Sequence, residues 1–419
     1  MSQRKTKFDR SRLLIGTYCI DTYARDEAHV RAMKACGIDF LTAAPADHEL
    51  LDNCKKFGIG VMVNGILPGW WGGDGDNAGK YAASVPLEKI REAAERLNAD
   101  PFLKDHPAVW GVDVGDEPSA LDFPHYGKVI ALAEEMLPER MVYLNLYPNY
   151  ASVAENTSGQ VVSQLGTATY QEYIDRYVEN VKTDYICLDN YEFAAGTDKL
   201  YDNLRIVADA CRKSGRDFWM VLQVNSNDPE KWLSVDMLRH QAFSSMAFGA
   251  VSLNWACWTA GWWHNEVLDK QGNQTEQYEK LKKVNAEVRR LEPLYMKHKN
   301  LRTVFVGSAF DDAVNKSGVD HASSYSCLAF GAVRPGEGEN VVLGEMEGRE
   351  KDTRAIFAAD VTDTGFTSSG ATRTLCFKSF PGWNYRTVGN VPVSIVREGD
   401  LVKILYPAYG AVMVTAEKE

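Results

Sequence analysis

The sequence predicts a (β/α)8 TIM barrel followed by a smaller all-β sandwich domain. Three observations carry that expectation. Eight apolar runs show little polar alternation, amphipathic segments of helical period separate them, and after Pro293 the texture changes to short β-rich runs. The barrel is assigned to residues 1–295 and the sandwich to 300–419.

The strand candidates are Leu13–Ile20, Ile38–Ala43, Ile59–Asn64, Val109–Val114, Met141–Leu146, Tyr185–Asp189, Phe218–Val224 and Ala250–Trp255. Continuous apolarity is the pattern of parallel strands covered on both faces. The helix candidates are Glu27–Cys36, His48–Lys56, Leu87–Leu97, Phe123–Leu137, Tyr170–Val181, Lys199–Lys213, Val235–Phe248 and Glu276–Leu291. Gly37, Gly58 and Gly215 stand where helix C-caps are expected. A doubly wound sheet is the rival, but no Gly-rich phosphate fingerprint follows the first strand, which runs into Thr17-Tyr18-Cys19-Ile20-Asp21. Beyond Pro293, Gly, Asp, Asn and Pro separate eight candidate strands at sandwich-like spacing, from Arg302–Val306 and Tyr325–Phe330 to Ala411–Ala416.

Composition narrows the function. A net charge of −11 argues against nucleic acid and anionic membranes as partners, and leaves a small neutral ligand open. No run is long enough to span a membrane, and no secretory leader pattern is present. The eight cysteines are scattered without CxxC spacing, as reduced core thiols would be, so a cytoplasmic location is expected. No metal-ligand spacing occurs, and neither metal nor other cofactor is expected.

Barrel enzymes keep their chemistry where the strands end. Strand three leads into a Gly-rich loop with Trp70 and Trp71, and strand four into Gly115-Asp116-Glu117-Pro118. Strand five leads to Tyr147 and Asn149, strand six to Asp189 and Tyr191, strand seven to Gln223, and strand eight to Trp255, Trp258, Trp262, Trp263 and His264. Six of the ten tryptophans thus fall at two strand ends. Flat aromatic faces beside carboxylates suit a sugar, whose C–H face packs on an indole, so these residues are expected to bind substrate.

Glycosidic cleavage needs an acid for the leaving oxygen and a second group at the anomeric carbon. Glu117 is the expected acid. Strand alternation puts Asp113, Gly115 and Glu117 on the inward face, and apolar neighbours such as Trp110 would raise the Glu117 pKa. His240 lies on a helix and is expected to be structural; Glu192 and Glu266 are reserve carboxylates.

The strand-four Gly-Asp-Glu-Pro and the aromatic strand eight resemble the clan of (β/α)8 glycoside hydrolases whose acid/base is a Glu after strand four. The segments VWGVDVGDEPS, YLNLYPNYAS, YICLDNYEF and FWMVLQVNS are similar to those of bacterial members with a C-terminal β domain. The resemblance covers most of residues 12–292 and implies a glycosidase acting on a small carbohydrate. Two positions depart from it. The clan's nucleophile is a Glu ending strand seven, where this chain has Gln223, and Asp116 replaces the usual Asn before the acid. An amide cannot form a glycosyl ester.

Two routes remain open. In one, Asp189, or secondarily Asp113, activates water and the anomeric carbon inverts. In the other, the substrate's 2-acetamido oxygen attacks, with Asp116-Glu117 acting like the acidic pair of β-hexosaminidases and Tyr191 bonding the acetamido oxygen. Gln223 would bond substrate in either. The missing strand-seven Glu also permits a catalytically inactive carbohydrate-binding barrel. A lyase or isomerase acting on a sugar acid would want a metal or a basic clamp at the strand ends, and the sequence offers neither.

Overall fold

The computed structural model describes residues 5–71, 77–153, 163–195, 199–259, 263–349 and 352–419. Eight parallel strands form the barrel: β1 Leu14–Tyr18, β2 Phe40–Pro45, β3 Gly60–Asn64, β4 Val109–Asp116, β5 Met141–Asn145, β6 Tyr185–Asn190, β7 Asp217–Gln223 and β8 Ala250–Ala256. Each pairs with its successor, and β1 pairs with β8, so the sheet closes. The β5–β6 seam is held by a single bridge, Leu146 to Leu188.

Eight helices cover it: α1 Glu27–Ala35, α2 His48–Phe57, α3 Leu87–Ala99, α4 Phe123–Met136, α5 Tyr170–Asn180, α6 Leu200–Ser214, α7 Val235–Ala247 and α8 Glu276–Tyr295. Side chains of Asp26, Asp47, Thr169 and Ser234 accept backbone N–H bonds at the first turns of α1, α2, α5 and α7. Gly58 and Gly215 end α2 and α6 in the left-handed conformation, as expected. Helix α8 runs through Pro293, which the sequence placed at the helix end; it occupies the last turn, so only the end of the hydrogen-bond ladder meets the proline ring.

Strand alternation sorts the barrel into two cores. Ile15, Leu41, Val61, Val112, Leu144, Leu188 and Leu222 face the helices. Phe40, Met62, Tyr143, Cys187, Trp219 and Val221 fill the lumen, and Phe8 closes its N-terminal end against Trp110 and Trp219. The floor of the barrel is therefore packed.

The remaining chain forms a six-stranded mixed sheet and a five-stranded antiparallel sheet. On the six-stranded sheet Phe305, Val342, Met346, Phe357 and Met413 join the barrel's outer core. Their neighbours Val304, Leu343, Ile356 and Val414 meet Phe330, Phe377 and Ile404 of the second sheet. One sheet thus shares a core with the helix layer on one face and with its partner sheet on the other. The sequence missed the strand Trp383–Gly389, whose burial alternates only partly, and merged Tyr325–Cys327 with Phe330–Pro335, two strands of a hairpin. Among the described residues no helix is long and apolar enough to cross a membrane.

Candidate active site

The end of β4 builds the site, and it does so by breaking alternation. Asp113 pairs with Tyr143 on β5, but the next pair is Asp116 with Asn145, so three residues of β4 oppose two of β5. This bulge puts Asp113 and Asp116 on the same inward pleat, where simple alternation turns Asp116 away. Gly115 carries it at φ +139°, and a Cβ there would stand 2.0 Å from the Trp70 carbonyl oxygen. That crowding arises because Trp70–Trp71 pairs alongside Gly115–Asp116. Asp113 braces the turn by accepting the Gly115 N–H at 2.8 Å. Glu117 follows at φ +44°, its N–H bonded to the Asn145 carbonyl at 3.0 Å.

Four carboxyl groups converge as a result. The Asn145 side-chain nitrogen donates to Asp189 at 2.7 Å and to Asp116 at 3.2 Å. Burial pushes the Glu117 carboxyl up to about 9, helped by the negative charges of Asp189 and Asp116 and opposed by a hydrogen bond from Trp71. Asp189 is raised to about 7 by burial and by Asp116. Burial raises Asp116 to about 6 against the Asn145 bond, and Asp113 to about 7 against its Gly115 bond. No described Lys, Arg or His forms an ion pair with any of the four. Of the four, Glu117 is raised furthest from its ordinary value.

Aromatic groups frame these carboxyls, though not all those expected. Trp71 is half exposed and stands beside Glu117, whose pKa it lowers. Tyr191 faces Asp189 and Asp116, and its ring meets Trp263 edge-on at 5.1 Å. Trp70 stacks on Tyr81 at 5.7 Å beneath the loop. Trp255 and Trp258 do not line the mouth. They are fully buried in the helix layer, Trp255 bonding Asn285 of α8 and Trp258 packing on Tyr278, because each lies on an outward pleat or just beyond it. Trp262 lies outside the described residues.

Other expected contacts are also corrected. Tyr147 is buried against Tyr173 in the outer core, and Asn149 ties its loop to the Lys199 carbonyl before α6. The Gln223 side chain is fully buried, accepting from Phe193 N–H and donating to the Asn225 carbonyl, so its amide is spent on the backbone. His264 is exposed, its backbone paired with Ser226. Trp110 sits on the floor beside Phe8, far from Glu117, whose aromatic neighbour is Trp71 instead. Glu192 is sealed against His240 and does not join the carboxyl cluster.

Sequence reasoning missed Asn145 and Tyr150. Asn145 ends β5 on the inward pleat, a position that alternation from Tyr143 identifies. Tyr150 accepts the Tyr191 N–H and feels the charges of Asp189 and Glu117, but it comes from a loop with no pleat to betray it. Among the described residues no group of three or more His, Cys, Asp or Glu is arranged to hold a metal ion.

The fold and this rim define a (β/α)8 barrel with a carboxylate-lined C-terminal end and an appended β sandwich. Among solved structures the chain is similar to an α-amylase from H. orenii, at 10% identity over 98% of this chain and all of that one, with a TM-score of 0.49. It is similar to a glucosidase from Croceicoccus marinus at 10% identity, covering 98% and 96% of the two chains, with a TM-score of 0.47. A glycoside hydrolase family 5 mannosidase from Rhizomucor miehei aligns at 12% identity over 66% of this chain and 92% of its own, with a TM-score of 0.41. No protein-family model matches the sequence, and neither does any curated protein.

Proposed function

We propose that this protein is a glycosidase that hydrolyses glycosides carrying a 2-acetamido group, with Glu117 as proton donor and Asp116 orienting the acetamido group. The observation that carries the proposal is the β4 bulge, which sets Asp116 inward beside Glu117. The raised Glu117 and the more acidic Asp116 fit the two roles, one neutral and one ionised at neutral pH.

In the first step Glu117 gives its proton to the leaving oxygen as the C1–O bond breaks. The acetamido oxygen bonds to C1, and Asp116 accepts a hydrogen bond from the acetamido N–H, offsetting the positive charge that develops there. The Glu117 carboxylate then takes a proton from water, which attacks C1, reopens the ring and leaves the anomer retained. Asp189 is only 2% exposed and held by Asn145, which suits a clamp on a substrate hydroxyl better than a base behind an open water site. No cofactor enters this scheme.

The test is a panel of p-nitrophenyl glycosides that includes N-acetylhexosaminides, with NMR of the first-formed anomer. Retention confined to N-acetyl substrates supports the proposal. Inversion transfers the second role to Asp189, and binding without turnover on any member would make the barrel a carbohydrate-binding protein.

A further inference from the structure

Asn145 donates hydrogen bonds to two of the carboxyl groups, and its orientation is not free. Its oxygen lies 3.6 Å from the Cys187 sulfur, which donates to it. With that thiol proton committed, the Tyr143 hydroxyl, 3.4 Å from the same sulfur, must donate to it, and Tyr18, at 2.9 Å, must donate to Tyr143. A directed chain thus climbs the lumen from Tyr18 through Tyr143 and Cys187. It ends with both N–H groups of Asn145 aimed at carboxylates. A flipped amide would set its oxygen against two carboxylates and its nitrogen against a thiol proton. The two contacts keep the Asp116 and Asp189 oxygens within about 6 Å of each other.

We infer that Asn145 is the positioning residue of this site, its amide bridging Asp116 and Asp189 and holding them side by side beside Glu117. The inference rests on the proposed role of Asp116 and Glu117 in glycoside hydrolysis. Besides Asn145, the donors to the pair are backbone groups, at Glu117 for Asp116 and at Asp189 itself, and neither of these bridges the two carboxyls. The groups that face the pair are otherwise acidic or neutral: Glu117 and Asp113 from β4, Tyr18 from β1, Cys187 from β6, Tyr150 and Tyr191 from the loops, and Cys257 after β8. Loss of the donor therefore raises both aspartates, so that they compete more strongly with Glu117 for protons.

The experiment compares wild type with Asn145→Ala and Cys187→Ala. It follows kcat and KM against pH on an N-acetylhexosaminide, and aspartate carboxyl titration by NMR of the carboxyl-labelled protein. Asn145→Ala is expected to move the acid limb up by about one pH unit and to lower kcat about tenfold, with KM little changed. Cys187→Ala, which frees the amide to turn, shifts the limb the same way by less. An Asn145→Ala protein with an unmoved acid limb and unmoved aspartate titrations overturns the inference, even if it turns over slowly. Should Asn145→Ala not fold, Asn145→Ser, too short to bridge both oxygens, carries the same expectation. Absence of turnover in wild type would count against the proposed function alone, because the carboxyl titrations still decide the role of Asn145.

Discussion

The Trp71 indole stands beside the Glu117 carboxyl and, as a donor towards it, opposes the effects of burial and neighbouring charge at that group. It holds an acid that would otherwise climb further above about 9. Trp71 reaches it only because its short strand lies beside Gly115–Asp116, so the loop after β3 and the end of β4 form one unit.

Replacing Trp71 with Phe removes that donor while keeping an aromatic face. A bond that favours the ionised form lowers the pKa, so its loss raises Glu117 further. An acid that must be protonated then works to higher pH. The alkaline limb of kcat/KM should move upward from its wild-type position near 9, by about half to one pH unit. A limb that stays in place or moves down, measured from pH 6 to 10.5, would show that Trp71 does not tune this acid.

Glu117→Ala should lower turnover by about 10²-fold or more on substrates with poor leaving groups, the scale of general acid catalysis. Aryl glycosides with acidic phenols need little protonation and should lose less. The ratio of the two effects across a leaving-group series is the measurement. An equal loss on every substrate would remove Glu117 from the acid role.

The contrast between what the sequence revealed and what it hid has a physical cause. Every barrel strand was legible because a strand buried on both faces reads as an apolar run, and Gly58 and Gly215 marked their helix ends. The acid pair Asp116-Glu117 was legible as residue types at a strand end. Its geometry was not, because a bulge is one added residue in a ladder and leaves no periodic trace; Gly115 hinted at it, and only the Asp116–Asn145 register fixes it. The tryptophans misled for a related reason. Trp255 lies on β8 with its neighbour Ala256 facing the lumen, so its outward turn follows from pairing rather than from hydrophobicity.

Gly115→Ala tests the bulge directly. A Cβ there would stand 2.0 Å from one backbone oxygen of Trp70 and 2.8 Å from its nitrogen, at a φ of +139°. Neither atom can yield without unpairing Trp70–Trp71, so the variant should lose activity and be destabilised by at least about 1–3 kcal/mol. Gly58→Ala is the control. Gly58 also has positive φ, but nothing lies within 4 Å of its Cβ position, so only backbone strain of about 1 kcal/mol applies and activity persists. Equal melting temperatures for the two variants would mean that β4 can accommodate a straight ladder.

Glu192 offers a stability test outside the carboxyl cluster. Its two carboxyl oxygens are buried with no hydrogen-bond partner, and the nearest basic group, His240 Nε2, stands 3.6 Å away. Burial drives the Glu192 pKa well above its ordinary value and lowers His240 to about 4. Folding then requires Glu192 to take up a proton that the unfolded chain releases above about pH 4.3. The stability associated with this group is complete below that unfolded value and falls as pH rises toward the raised folded value. Glu192→Gln keeps the shape and removes the titration. Its advantage over wild type should therefore be small near pH 4.5 and widen as pH increases. Above about pH 7.5 His240 is neutral in both states, and any widening there belongs to Glu192 alone, at up to about 1.4 kcal/mol per pH unit for as long as the pH stays below the folded pKa. Chemical denaturation of both proteins across that window measures it. A constant difference would mean that Glu192 is ionised in the folded protein and that a counter-charge holds it.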